Sequence, residues 1–236
     1  LAVEANNVAV LTALCRVRRQ RGNAGEAVEF GRRAVAADAK DSRAKVELAR
    51  ALAELQPVEQ NRQEALDLLR AAGEADMGTP IIPYETGRVL GQLGRWSEAE
   101  PFARRALALD PQHTEALFVL AQALRNTGRT AESEKVERQF RLQQTRQRRA
   151  QDLTSRLGAN PNDASLHFQL GDVFAESGQM GRAINQYRKG LRLKPEDEAA
   201  RKRLVELVRR AQDTPTTPAA PPGAPAAPPG MPGAPP

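Results

Sequence analysis

The sequence repeats itself. Laying "LRLKP" at 191–195 over "LALDP" at 107–111 and counting back in steps of 34 residues gives five blocks, 8–41, 42–79, 80–113, 114–147 and 164–197, the second of them 38 residues long. The eighth position of the block is Cys15, Ala49, Gly87, Ala121 or Gly171. The twentieth is Ala27, Ala65, Ala99, Ser133 or Ala183, and the twenty-seventh Ala34, Ala72, Ala106, Phe140 or Gly190. Large residues recur at the seventh position (Leu14, Leu48, Leu120, Leu170, with Thr86 in the third block) and at the eleventh (Leu52, Leu90, Leu124, Phe174). A period of this length marks one small structural unit, which cannot bury its own apolar face and must stack on its neighbours.

Which unit it is follows from residue usage. Aromatics make up only 4% of the chain while Ala, Arg and Leu are abundant, a composition that favours helices packed through small residues over strands. Gly22, Gly94, Gly128 and Gly178 fall mid-block, where the C-terminus of a first helix needs a residue tolerant of left-handed dihedrals. Each block therefore reads as two helices joined by a tight turn. Ser97 and Glu100 have the spacing of a capping box with Pro101 just inside it, and Thr79 before Pro80 marks a second helix start. The second block lacks the glycine, and its extra residues in "LQPVEQNRQEA" read as a longer turn bent at Pro57. Residues 131 to about 157 read as one extended helix, which makes 148–163 a helix extension and linker. Residues 198–213 read as a helix capping the last block.

The last block carries Leu170, Gly171, Phe174, Gly178, Ala183, Tyr187 and Pro195, and with these residues the chain, from its start to about residue 212, resembles the tetratricopeptide repeat family. The resemblance implies an all-α, right-handed superhelical solenoid of antiparallel helix pairs. It also implies that the first helix of each pair lines a concave surface on which peptides or partner domains are held.

The two ends differ from the blocks. "LAVEANN" at 1–7 occupies the frame of the end of an earlier repeat, so the chain reads as cut inside a longer array, and neither compartment nor export follows from it. Residues 214–236 hold ten prolines and no charge; they read as a disordered, polyproline-II-like tail, a tether with PxxP spacings such as Pro215 to Pro218.

Candidate chemistry is sparse. His113 and His167 lack partners at ligand spacing, which argues against a metal, and Cys15 at a small position reads as a packed thiol. "GQLGR" and "ESGQMGR" have neither a preceding strand nor a following Gly-Lys-Ser/Thr, so no phosphate loop, cofactor or small-molecule substrate is expected. No catalytic set is found, and the chain reads as a non-enzyme. The net charge of +6 favours anionic partners, but the basic stretch 138–149 has no interleaved aromatics and reads as a solvated helix face, which disfavours nucleic acid. No apolar run is long enough to span a bilayer.

The resemblance places the fifth and ninth frame positions in the groove. The ninth is Arg16, Arg50, Arg88, Gln122 and Asp172, and the fifth is Thr12, Val46, Tyr84, Phe118 and Phe168. The expected partner-binding residues are thus Arg16, Arg50, Tyr84, Arg88, Phe118, Gln122 and Phe168. They suit a protein or peptide partner with acidic groups at one end and an apolar anchor at the other. They do not match the chaperone-tail clamp of the co-chaperone members, which needs Lys and Asn at these positions. Two other roles fit the same array: the recruiting region of an enzyme whose catalytic domain lies upstream, or a structural part of an envelope or secretion assembly.

Overall fold

The computed structural model describes residues 7–56 and 58–213; Pro57, the segment before Asn7 and the proline-rich segment 214–236, and with them the readings made of these, lie outside the described residues. The described residues form eleven helices and no strand: α1 (Val8–Gln20), α2 (Ala24–Ala37), α3 (Ser42–Glu54), α4 (Glu59–Ala75), α5 (Ile81–Gln92), α6 (Trp96–Leu109), α7 (Thr114–Asn126), α8 (Thr130–Ala159), α9 (Ala164–Glu176), α10 (Met180–Leu193) and α11 (Glu198–Asp213). This is an all-α helical-repeat fold. The packing divides after Arg148 into two units, each with a core of its own.

In the first unit, α1 packs on α2, α3 on α4 and α5 on α6, and each pair stacks on the next through contacts such as α2 with α3 and α6 with α7. The small frame positions make this possible. Cys15, Ala49, Ala27, Ala65 and Ala99 are all 0% exposed. A Cβ added to Gly87 would stand 3.2 Å from the Ala99 carbonyl oxygen, so positions eight and twenty hold the paired backbones close enough to leave little room for a side chain. In the fourth block Ser133 makes the same approach polar, its hydroxyl donating to the Ala121 carbonyl at 2.9 Å.

The turns repeat in atomic detail. After α1, α5, α7 and α9 the chain closes with the same two bonds, for example Gln179 N to Phe174 O at 2.8 Å and Gly178 N to Ala175 O at 3.0 Å. Gly178 has φ of 71°, and Gly22, Gly94 and Gly128 lie between 74° and 80°, the left-handed region that this helix stop requires.

Three local readings are corrected. Ser97 and Glu100 form no capping box: α6 starts at Trp96, one residue before Ser97, after Arg95, which instead grips Glu98 with two bonds of 2.7 and 2.6 Å. Glu100 turns to Arg104 and Arg129. Thr79 does not cap α5, whose N-cap is Pro80 with no side-chain bond. The extra residues of the second block mostly lengthen a helix, because α4 has 17 residues where α2, α6 and α10 have 14. The first helices α1, α3, α7 and α9 are capped instead by the residue just before their own block. Asn7, Asp41, His113 and Asp163 each accept a backbone N–H of the following first turn.

In the second unit, α9 and α10 pair around Leu166, Leu170, Val173, Phe174 and Tyr187, with Leu153 from α8 and Leu207 from α11 in the same core. Asp197 starts α11 by accepting the Ala200 N–H at 3.0 Å. That bond holds the Asp197 carboxyl below the usual carboxylate range.

Candidate functional site

Frame positions five and nine are one helical turn apart, so both point from the same face of a first helix. On α5 these are Tyr84 and Arg88, and on α7 Phe118 and Gln122. All four line one groove of about 590 Å³ between α5, α7 and α8. The long helix α8 supplies the far wall with Phe140, Gln144 and Gln147, again one turn apart, and Trp96 lies at the start of α6.

The aromatic side chains are held from behind. Phe118 is 47% exposed, and its ring centroid is 5.6 Å from that of Phe140. Tyr84 rests on His113 at 4.6 Å, and His113 is fixed in turn because its Nδ1 accepts the Ala116 N–H at 3.3 Å. The indole of Trp96 lies on Gly91, where an added Cβ would be 2.6 Å from Cζ3. A glycine with that neighbour acts as the seat of the ring. Burial pushes the Tyr84 hydroxyl above its ordinary value.

Arg50 and Arg88 are arranged differently from free cations. Glu85, 4% exposed, accepts Arg50 Nε at 2.7 Å on one oxygen and Arg88 Nε at 2.7 Å on the other. Glu47, 8% exposed, accepts Arg50 Nη1 at 2.9 Å and lies 3.7 Å from Arg19 Nε, while Arg19 reaches Glu54 at 2.8 Å. Six charges thus alternate in sign across α1, α3 and α5. Burial works against the Arg50 charge, but Glu85 and Glu47 raise its pKa all the same. The sequence held the signal for this network: "ELAR" and "ETGR" place Glu47 and Glu85 three residues before Arg50 and Arg88.

Arg16 is exposed and makes no ion pair with a described residue. It shares with Arg50, Arg43 and Thr12 a groove of about 400 Å³ between α1, α3 and the start of α5. Phe168 belongs to the second unit. There its ring is half-buried against Gly190 and lies 5.5 Å from Tyr187, whose hydroxyl donates to Asp172 at 2.8 Å. Of the seven expected residues, four meet in the α5, α7 and α8 groove, two in the α1 and α3 groove, and Phe168 packs inside its own unit. Trp96, Phe140, Gln144 and Gln147 escaped the frame reading of the groove because they come from second helices.

Other candidates have structural surroundings. Cys15 is fully buried, and burial, followed by the nearby Glu47, pushes its thiol up to about 11, so it stays protonated. His167 Nδ1 lies 2.7 Å from Gln186 Oε1. Arg138, Arg141, Arg148 and Arg149 are exposed, Arg141 lying 3.6 Å from Glu137. A further apolar groove of about 390 Å³ lies between α4, α5 and α6, with Met77 and Phe102 on its surface. Among the described residues no helix is long and apolar enough to cross a membrane.

Comparison with known proteins gives the following. Models of the tetratricopeptide repeat match residues 84–147 and 164–197. No curated protein matches the sequence. Among solved structures, TTC0263, a thermophilic TPR protein of Thermus thermophilus, is 16% identical with a TM-score of 0.50, covering 86% of this chain and 100% of its own. PilF of Pseudomonas aeruginosa is 18% identical with a TM-score of 0.49, covering 87% and 85%. YrrB, described as a TPR protein with an unusual peptide-binding site, is 20% identical with a TM-score of 0.46, covering 86% and 95%. At 16% identity the likeness to TTC0263 is one of fold.

Proposed function

We propose, from the premise that the chain belongs to the tetratricopeptide repeat family, that this interaction scaffold is non-catalytic and holds an extended peptide of a partner protein against the face built by its first helices. The observation that carries the reading is the convergence of Tyr84, Arg88, Phe118 and Gln122, with Trp96 and Phe140, on a single open groove. Half-exposed aromatic rings held by a rigid backing are suited to anchoring a partner, since they bury large apolar area at little cost in side-chain entropy. The helices supply that rigidity.

The reading is tested by affinity capture with the full-length chain and with a Tyr84→Ala/Phe118→Ala variant, followed by quantitative mass spectrometry. A partner that depends on the groove is enriched about tenfold or more over the variant, as expected when two anchors are truncated. Equal recovery on both baits, at equal helicity, would place the partner elsewhere and refute the reading.

A further inference from the structure

The chemistry of the groove narrows its ligand. Arg88, its one arginine, is already bonded to Glu85 at 2.7 Å, and Glu115 on the rim adds a negative charge. The remaining polar groups are neutral amides, Gln92, Gln122, Gln144 and Gln147, and none of these side chains makes a hydrogen bond among the described residues. The Tyr84 hydroxyl and the Trp96 indole N–H are likewise without a hydrogen-bond partner there. Aromatic faces and unused neutral donors therefore line the groove, with little net charge.

Such a surface complements one kind of segment. A proline-rich peptide presents pyrrolidine rings that pack on aromatic faces. Its backbone has no internal hydrogen bonds, so its carbonyls need donors from the surface that receives it. An uncharged segment also loses nothing against a neutral wall, whereas an acidic one would have to compete with Glu85 for Arg88. Residues 214–236 of this chain are a segment of this kind, with ten prolines and no charged side chain. We infer that the groove between α5, α7 and α8 is a docking site for an uncharged, proline-rich segment of the type the chain carries at 214–236. The inference rests on the proposed function and adds the partner's chemistry to it.

Trp96 provides the readout, because it is the chain's only tryptophan and the 214–236 sequence contains no aromatic residue. The protein used is the full chain with its ten prolines from Pro215 to Pro236 replaced by serine, which removes the internal competitor. A synthetic peptide of sequence 214–236 is titrated in while Trp96 emission is followed. The expected result is a saturable change in emission that is weakened about tenfold by Phe118→Ala, an exposed position whose loss leaves helicity unchanged. A peptide of equal length with glutamates in place of the prolines produces no change. The inference is overturned if the proline-rich peptide gives no saturable change up to ~1 mM, a range that reaches even weak complexes. It is equally overturned if the acidic peptide binds as tightly. Should either occur while a captured partner still depends on Tyr84 and Phe118, the scaffold reading stands and only the proline-rich assignment falls.

Discussion

At the scale of single residues, the small frame positions and the buried ion network govern the energetics. The ring of Tyr187 lies against Gly171, where an added Cβ would be 2.6 Å from Cδ2. Gly171→Leu is therefore expected to cost roughly 1–3 kcal/mol by overpacking. Val205→Ala, at a site 69% exposed, is expected to stay within about 0.5 kcal/mol, both read from urea unfolding. An unperturbed Gly171→Leu would mean that the position does not mediate close packing. Arg50→Glu would leave Glu85 and Glu47 buried beside a third carboxylate. A loss of about 3–5 kcal/mol is expected, so a binding defect in that variant is interpretable only alongside its melting curve. Cys15 supplies a pH dependence with a definite sign. Its thiol is raised in the folded chain to about 11 from 9.0, so the stability linked to its protonation is intact below pH 9 and is lost as the pH climbs towards 11. Cys15→Ala is expected to flatten that alkaline slope in thermal melts. The same slope in wild type and variant would assign it to other groups. The small positions were legible because a period exposes what each block needs. The pairing of Arg50 and Arg88 with Glu85 was not, because a frame position says which way a side chain points and not what it meets there.

At the scale of helices, ends are set by local chemistry that the sequence shows unevenly. The mid-block glycines announced four helix stops, each now seen at positive φ. Helix starts were read less well. Ser97 has the right residue type, yet the chain enters α6 one residue earlier, and Arg95 with Glu98 takes over the first turn. The true caps, Asn7, Asp41, His113 and Asp163, each stand just before a block and could have been found by the same alignment. Asp163→Ala is expected to cost about 1 kcal/mol and to loosen the start of α9, seen as faster amide exchange over residues 165–167. Unchanged exchange there would show the cap to be dispensable. The terminal helix α11 has a larger effect, because Leu207 is 0% exposed in the core of the second unit. Leu207→Ala is expected to remove about 2–5 kcal/mol.

At the scale of the molecule, repetition explains both what the sequence revealed and what it concealed. A stack of similar pairs makes the fold readable from one alignment, and it also puts equivalent residues in unequal circumstances. Tyr84 and Phe118 open on a groove, whereas Phe168, at the same frame position, faces Gly190 and Tyr187. The difference lies in the neighbours. After α7 comes the long α8, which brings Phe140, Gln144 and Gln147 to the groove, while in the second unit the ninth-position Asp172 is engaged by Tyr187 and lies 3.5 Å from Arg203 of α11. The central claim is that a partner is held on the first-helix face between α5, α7 and α8. Oxidative footprinting of the full-length chain with and without its captured partner tests this directly, because reactive side chains stand on both candidate grooves. The account predicts that Tyr84, Trp96 and Phe118 become protected while Met77 and Phe102, on the groove between α4, α5 and α6, keep their reactivity. Protection of Met77 and Phe102 with Tyr84, Trp96 and Phe118 unchanged would contradict it.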